Sequence, residues 1–294
     1  MRSGFVSILG KPNVGKSTLL NRLVGVKLAA VSSKPQTTRQ VIRGILSEPR
    51  GQIIFLDTPG LHKPKDTLGR FMMREATNTF FETDLFYWLT DPILPDDSDV
   101  EFLTQLRSQN TKGERVVFCL VNKIDTVPKP ELLPVLDQYQ KAFPFRELIP
   151  ISALKGDQID LLLSKSFAYL PEHEPYFPPD MPSDQTERFI ATEMIREKIF
   201  RFTGQEIPYS TAVQIEEFLE QESMIRIRAV IFVEKDSQKG ILIGAKGQKM
   251  KQIGTQARGD LEKFLGKKVF LELWVKTLKN WKKDDQYLKR LGYQ

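Results

Sequence analysis

Gly10-Lys-Pro-Asn-Val-Gly-Lys-Ser17 follows a short apolar run, Phe5–Leu9, and opens a helical pattern, Ser17–Val24. Two glycines five apart, then Lys and Ser, between a strand and a helix, are the pattern of a phosphate-binding loop. Each fixed residue has a task. Gly10 and Gly15 permit a turn whose backbone N–H groups point inward at phosphate oxygens. The helix beginning near Lys16 adds its positive N-terminal end. Lys16 brings a full charge to the β and γ phosphates, and the Ser17 hydroxyl is a magnesium ligand. The expected nucleotide-contacting run is therefore Lys11, Pro12, Asn13, Val14, Gly15, Lys16, Ser17 and Thr18.

Working outward, apolar strands alternate with helical patterns through the first 170 residues. The strands are expected at Phe5–Leu9, Ile42–Leu46, Ile53–Leu56, Leu85–Leu89, Val116–Val121 and Leu148–Pro150. Helices fall at Ser17–Val24, Leu68–Phe81, Val100–Leu106, Glu131–Phe143 and Ile159–Leu170. Such alternation predicts an α/β, doubly wound, mostly parallel sheet with its ligand at the carboxyl ends of the strands.

Three loops at those ends select the base. Asp57-Thr-Pro-Gly60 follows the third strand, placing a carboxylate to hold magnesium through water and the Gly60 N–H near a γ-phosphate. Asn122-Lys-Ile-Asp125 follows the fifth, where Asp125 can accept from guanine N1–H and the exocyclic amine. Adenine offers no such pair of donors, and a desolvated polar group left unmatched costs about 1–3 kcal/mol. Asn122 is expected to brace neighbouring loops and the Lys123 stem to lie over the base. Ser152-Ala153-Leu154 follows the last strand, with the Ala153 N–H set for guanine O6.

The remaining composition narrows the setting. Among 294 residues, 40% are apolar and 27% charged, as in a globular protein. The longest apolar run, Val116–Val121, is far short of the ~20 residues of a membrane span. Phe5–Leu9 runs straight into the phosphate loop with no cleavage pattern and reads as a first strand, not a secretory signal. Cys119 is the only cysteine, which excludes an intrachain disulfide or a cysteine metal cluster and points to the cytosol. The net charge of +6 conceals a split: residues 224–294 hold 17 Lys and Arg against 7 Asp and Glu, while residues 1–223 are net −4. A basic end of this size suggests a polyanionic partner.

Five prolines in Pro171–Pro182 exclude regular structure there and predict a semi-rigid linker. A second domain is expected to start with a helix cap at Ser183-Asp184 before Arg188–Phe202. In Met224–Lys235 the apolar residues Ile225, Ile227, Ala229, Ile231 and Val233 alternate, a half-buried strand with Arg226 and Arg228 facing the other way. Gly244-Ala245-Lys246-Gly247 is a G-x-x-G loop between helical segments, followed by a helix to about Leu265 and a strand at Val269–Val275. In KH domains such a loop lets a single-stranded backbone approach the main chain. Lys246, Lys249, Lys251 and Arg258 would supply salt-sensitive phosphate contacts. Trp274 is expected in the core, and base stacking by Trp281 stays open.

Together GKPNVGKS, PQTTR (Pro35–Arg39), DTPGLHKP, NKID and SALKG resemble the five signatures of translation-factor-related bacterial GTPases. With GILIGAKGQKMKQIGTQAR, LELWVK and Trp281, nearly the whole chain resembles the Era family. The resemblance implies a G domain at residues 1–171, a linker at 172–185 and an α+β, type II KH domain at 186–294. It makes Thr38 a catalytic magnesium ligand beside Ser17 and Asp57, with Thr37 competing for the role. It adds Lys16, Gly60 and Asn13 as catalytic, the last through a bound potassium ion, although asparagine also shapes loops unaided. It implies binding to the 3′ end of 16S rRNA, a role in 30S subunit maturation, and peripheral contact with the inner membrane. Leu61 stands where many GTPases carry a water-orienting glutamine, so slow intrinsic turnover is expected. An RNA chaperone with little turnover is the alternative, and a P-loop metabolic kinase is disfavoured by NKID and SAL.

Overall fold

The computed structural model describes residues 1–61, 64, 66–109, 116–204 and 206–293. It comprises two compact units that do not follow chain order. One is built from residues 1–25, 41–62 and 75–184, the other from 26–40, 63–74 and 185–294.

In the first unit the strands are β1 (Arg2–Leu9), β2 (Ile42–Glu48), β3 (Gly51–Asp57), β4 (Leu85–Thr90), β5 (Val116–Val121) and β6 (Glu147–Pro150). They form one sheet in the order β2-β3-β1-β4-β5-β6. Only β2 runs antiparallel, paired with β3. The parallel register sets Ile8 beside Asp57 and Leu9 beside Trp88, and in the neighbouring pairs Thr90 beside Val121 and Val121 beside Pro150. Every loop leaving a parallel strand thus emerges on one edge, and the chain reverses its winding direction at β1, where such folds hold their ligands. Strands β3 and β4 are buried at every position, as expected when helices cover both faces. The helices are α1 (Lys16–Val24), α2 (Thr67–Asn78), α3 (Asp97–Gln109), α4 (Lys129–Ala142) and α5 (Ile159–Tyr169), the unit boundary falling within α2 after Arg74.

The proline-rich stretch is not a free spacer. Gln52 accepts from the backbone N–H groups of Tyr176 and Phe177 through Oε1 and donates to the Phe177 carbonyl. Tyr176 packs edge-on against Phe5, and the Ile45 N–H donates to the Pro182 carbonyl at 2.8 Å. Prolines remove backbone donors, so this stretch is held by a few side chains and carbonyls instead of a ladder. Asp184 pairs with Arg43, and the next helix, α6 (Glu187–Phe202), is capped by Thr186 and not by Ser183-Asp184.

In the second unit, β7 (Ala212–Glu220), β8 (Met224–Val233) and β9 (Lys268–Thr277) form a sheet in that order. β7 and β8 are antiparallel, β8 and β9 parallel. With α7 (Asp236–Ile243) and α8 (Gln248–Leu265) the sequence of elements is α6-β7-β8-α7-α8-β9. Ile195, Ile199, Leu242, Ile253 and Ala257 from the helices bury one face of the sheet through Ala229, Ile231 and Val233. The other face is covered at one end only, where Val230 and Phe232 meet Leu68, Phe71, Met72, Trp281, Leu288 and Tyr293. α9 (Asp285–Arg290) carries Leu288 to that cluster.

Residues 26–40 are fastened into this unit by charge. Lys27 pairs with Glu197 at 2.7 Å and Asp260 at 2.6 Å, and Lys198 joins the same two carboxylates. Burial works against the Lys27 charge, but its two carboxylate partners outweigh it and raise its pKa. Arg39 is 2% exposed and donates to the Thr211 carbonyl at 2.7 Å, the Pro208 carbonyl at 3.0 Å and the Tyr293 hydroxyl at 3.1 Å. Its guanidinium also lies over the Trp281 ring at 5.7 Å. A buried cation held by three acceptors and an aromatic face is costly to strip of its partners.

Candidate nucleotide and nucleic-acid sites

The phosphate loop takes its shape from backbone no ordinary side chain favours. Gly10 has φ +146° and Gly15 φ +103°. A Cβ at Gly10 would lie 2.2 Å from the Leu89 carbonyl oxygen, and one at Gly15 would lie 2.3 Å from Asn122 Nδ2. Glycine at both positions is therefore required by conformation and by space. Lys16 opens α1, is almost wholly buried, and donates to the Gly10 and Lys11 carbonyls at 3.0 and 2.8 Å. Burial lowers its pKa to about 8, against the opposing pull of Asp57 and Asp91. The side chain of Lys11 is engaged with Asp96 and Asp99, so its part in binding falls to its backbone.

The Ser17 hydroxyl donates to Asp57 Oδ2 at 2.7 Å, bringing together two of the expected magnesium ligands. A hydroxyl and a buried carboxylate are hard oxygen donors, which suit magnesium. Among the described residues no cluster of three His, Cys, Asp or Glu side chains could hold a metal. Thr37 and Thr38 are both buried in the second unit, and the Thr37 hydroxyl donates to the Lys34 carbonyl at 2.7 Å. A Cβ on Gly60 would lie 2.9 Å from the Pro12 backbone, so only glycine lets the DTPG loop pass this close to the phosphate loop. Leu61 is buried, its N–H donating to the Gly10 carbonyl at 3.2 Å. His62 and Lys63 of the same signature lie outside the described residues.

Asn122 is the brace the sequence predicts. Its amide donates to the Val14 carbonyl at 2.8 Å and accepts from the Ala153 N–H at 2.9 Å. The Ala153 N–H, expected near guanine O6, donates to this brace. Lys123, in the left-handed region with φ +62°, donates to the Asn13 carbonyl at 2.7 Å and pairs with Asp91 at 2.9 Å. Asp125 accepts from the Ser152 hydroxyl at 2.6 Å, which fixes one carboxylate oxygen. Leu154 is exposed beyond it.

In the second unit the G-x-x-G loop joins α7 to α8. Gly244 has φ +73° and Gly247 φ +75°, and a Cβ on Gly244 would lie 2.8 Å from that of Lys249. Beside the loop an open crevice of about 440 Å³ is lined by Ile243, Gly247, Met250, Lys251, Gly254, Thr255, Arg258, Phe270, Leu271 and Leu273. Of the expected RNA contacts, Gly247, Lys251 and Arg258 line it. Gly244, Ala245 and Lys246 in the loop and Lys249 in the first turn of α8 are outside the lining. The apolar floor from α8 and β9 went unpredicted, because its residues also read as ordinary core.

One expectation for the tryptophans needs correction, and the question left open for the other is answered. Trp281 is fully buried, its indole N–H donating to the Ser210 carbonyl at 3.0 Å, so it stacks on no base. Trp274 is 54% exposed and outside the core. Strand alternation does set it opposite Leu271 and Leu273, but on that face the covering cluster stops short of it.

The phosphate loop, the DTPG loop and the Asn122–Asp125 frame define a P-loop GTPase, and the second unit gives it a KH domain. Comparison with known proteins agrees. A family model described as a 50S ribosome-binding GTPase matches residues 5–123, and a KH domain model matches residues 206–282. GTPase Era of Syntrophus aciditrophicus is 49% identical over 99% of this chain and 95% of that protein. GTPase Era of Ruminiclostridium cellulolyticum is 46% identical over 100% of this chain and 98% of its own length. Among solved structures, an Aquifex aeolicus Era variant bound to GDP·AlF4⁻ is 41% identical, with a TM-score of 0.95 over 100% of this chain and 99% of that one. The same values hold for Era in complex with MgGDPNP and nucleotides 1506–1542 of 16S ribosomal RNA. The chain belongs to the GTPase Era family, and its reaction is the hydrolysis of GTP to GDP and phosphate.

The lowered pKa of Lys16 predicts a pH effect with a definite sign. Bound phosphates favour the charged ammonium, so affinity is full below about pH 8 and falls as Lys16 loses its proton above it. Calorimetric titration of GDP is expected to show binding about fourfold weaker at pH 8.5 than at pH 7.

Proposed function

We propose that the chain is a slow GTP-driven switch whose KH unit binds the 3′ end of 16S rRNA during maturation of the 30S subunit. The observation that carries this is the G-x-x-G loop beside a crevice lined by Lys251 and Arg258, in a chain with a complete guanine-type nucleotide frame. The relative solved with MgGDPNP and 16S rRNA supports the choice of ligands. Magnesium would be held by Ser17 and Asp57, with Thr38 as the third ligand. Thr37, whose hydroxyl donates to the Lys34 carbonyl, is the competing position. The ion would offset negative charge on the β and γ phosphates. Lys16 would orient those phosphates, and the Gly60 N–H would donate to the terminal one. Leu61 offers nothing to orient water, which favours slow intrinsic turnover. The cell compartment in this reading is the cytoplasm, with peripheral contact between the basic surface and the anionic inner membrane.

Affinity for a 16S 3′-end oligonucleotide, measured against salt with a GTP analogue, tests the RNA assignment. Lys251→Glu with Arg258→Glu is expected to weaken binding at least tenfold and flatten the salt dependence. Unchanged affinity would remove the crevice from the binding surface.

Potassium is the second part of the proposal. Asn13 has an exposed side chain and φ +68°, on a loop tied to Lys123 through its carbonyl. An amide oxygen there suits a monovalent cation that supplies positive charge beside the phosphates. Hydrolysis is expected to be faster in potassium than in sodium for the wild type, with the difference lost in Asn13→Ala. Equal rates in all four cases would leave Asn13 a loop-shaping residue.

A further inference from the structure

The outer face of β9 carries two exposed aromatic rings, Phe270 at the margin of the KH crevice and Trp274 outside it. β9 is one of the two edge strands of its sheet. Leu271, Leu273 and Val275 pack toward the helices, while Phe270, Glu272 and Trp274 alternate onto the opposite face. Phe270 is 49% exposed and Trp274 54%, whereas Trp88 and Trp281 are buried. Four residues apart on a strand, the two rings stand about 13 Å from each other.

Charges hold this face in order. The Trp274 indole N–H donates to Glu272 Oε1 at 3.0 Å, which fixes the ring's orientation. Glu272 in turn pairs with Arg228 at 3.4 Å, and both Arg226 and Arg228 reach Glu217. The Arg226 guanidinium lies over the Phe270 ring at 5.7 Å. Two arginines pair with two glutamates, so the charges beside the rings offset one another. Phe270 also lines the crevice that holds Lys251 and Arg258, making the aromatic strip continuous with it around the sheet edge.

We propose that Phe270 and Trp274 form a stacking platform for unpaired bases of single-stranded RNA that leaves the G-x-x-G crevice and crosses the edge of β9. The proposal rests on the crevice being the RNA groove, and the continuity through Phe270 argues for the same strand as occupant. Exposed aromatic faces serve single strands because every base offers a π-face to stack. A ring oriented in advance by Glu272 loses little freedom on binding.

The test uses the full chain with a non-hydrolysable GTP analogue and RNA oligomers of two lengths at one salt concentration. A four-nucleotide oligomer matches the span a G-x-x-G loop clamps, and eight-nucleotide oligomers extend it at either end. Because Trp274 is the exposed tryptophan, its emission reports stacking directly. One eight-nucleotide extension is expected to bind about tenfold tighter than the short oligomer and to quench tryptophan emission. Trp274→Ala should remove both effects while leaving the short oligomer's affinity unchanged, and Trp274→Phe should retain most of the affinity gain. Equal affinity of long and short oligomers, or a gain that survives Trp274→Ala, would overturn the platform. Lys251→Glu separates the two readings: short-oligomer affinity that survives it sinks the crevice assignment and with it a platform fed from the crevice, whereas short-oligomer affinity lost in Lys251→Glu beside a length gain that survives Trp274→Ala sinks the platform alone. Binding of no oligomer overturns both. Self-association lost on Trp274→Ala, with RNA binding unchanged, would assign the face to a second copy of the chain.

Discussion

One buried side-chain amide holds the nucleotide site together. Asn122 gives its N–H to the Val14 carbonyl in the phosphate loop and takes the N–H of Ala153 in the loop after β6. Three loops from three strands are fixed by those two bonds. Gly15 must be glycine partly because the amide occupies the space a Cβ would need. A side chain with both a donor and an acceptor is required: aspartate would leave the Val14 carbonyl unsatisfied, and leucine would leave both loops untied and both backbone groups unsatisfied. The same frame positions Lys123, which reaches the Asn13 carbonyl, and Asp125, which is steadied by Ser152. Phosphate binding and base selection therefore share one brace.

The second structural constraint is the attachment of residues 26–40 to the KH-bearing unit. Thr38, the proposed third magnesium ligand, is followed at once by Arg39, whose guanidinium is wholly enclosed there. Lys27 and Lys34 fasten the same segment further back, the first to Glu197 and Asp260, the second to the Phe200 and Thr203 carbonyls. Any nucleotide-dependent movement of Thr38 has to work against, or through, these bonds. Coupling between two sites is reciprocal in free energy, so a ligand that shifts one shifts the other.

Much of the site was legible in sequence because its motifs are short and local. A phosphate loop needs its glycines at fixed spacing, and NKID ends a strand that six consecutive apolar residues announce. The long-range features were not legible. Arg39 is held by carbonyls of residues 208 and 211 and a hydroxyl at 293, partners that leave no pattern around it. β7 escaped prediction because paired glutamates at 216 and 217 and a register shift there interrupt its alternation. Trp274 was assigned to the correct face of its strand but the wrong environment. Alternation tells which residues share a face, not how far along the strand that face is covered. Five prolines mark residues 171–182 as a semi-rigid linker, but no local pattern announces that Gln52 of β3 accepts from the Tyr176 and Phe177 N–H groups.

The central claim is that the frame built on Asn122 presents Asp125 to guanine. The most direct measurement is the affinity of Asp125→Asn for guanine and xanthine diphosphates, with the wild type alongside. An asparagine amide donates where the carboxylate accepted, and xanthine carries a carbonyl where guanine carries its amine. The account predicts that the substitution weakens GDP binding by about a hundredfold and strengthens binding of the xanthine nucleotide. Unchanged GDP affinity in Asp125→Asn, or no gain for xanthine, would contradict it.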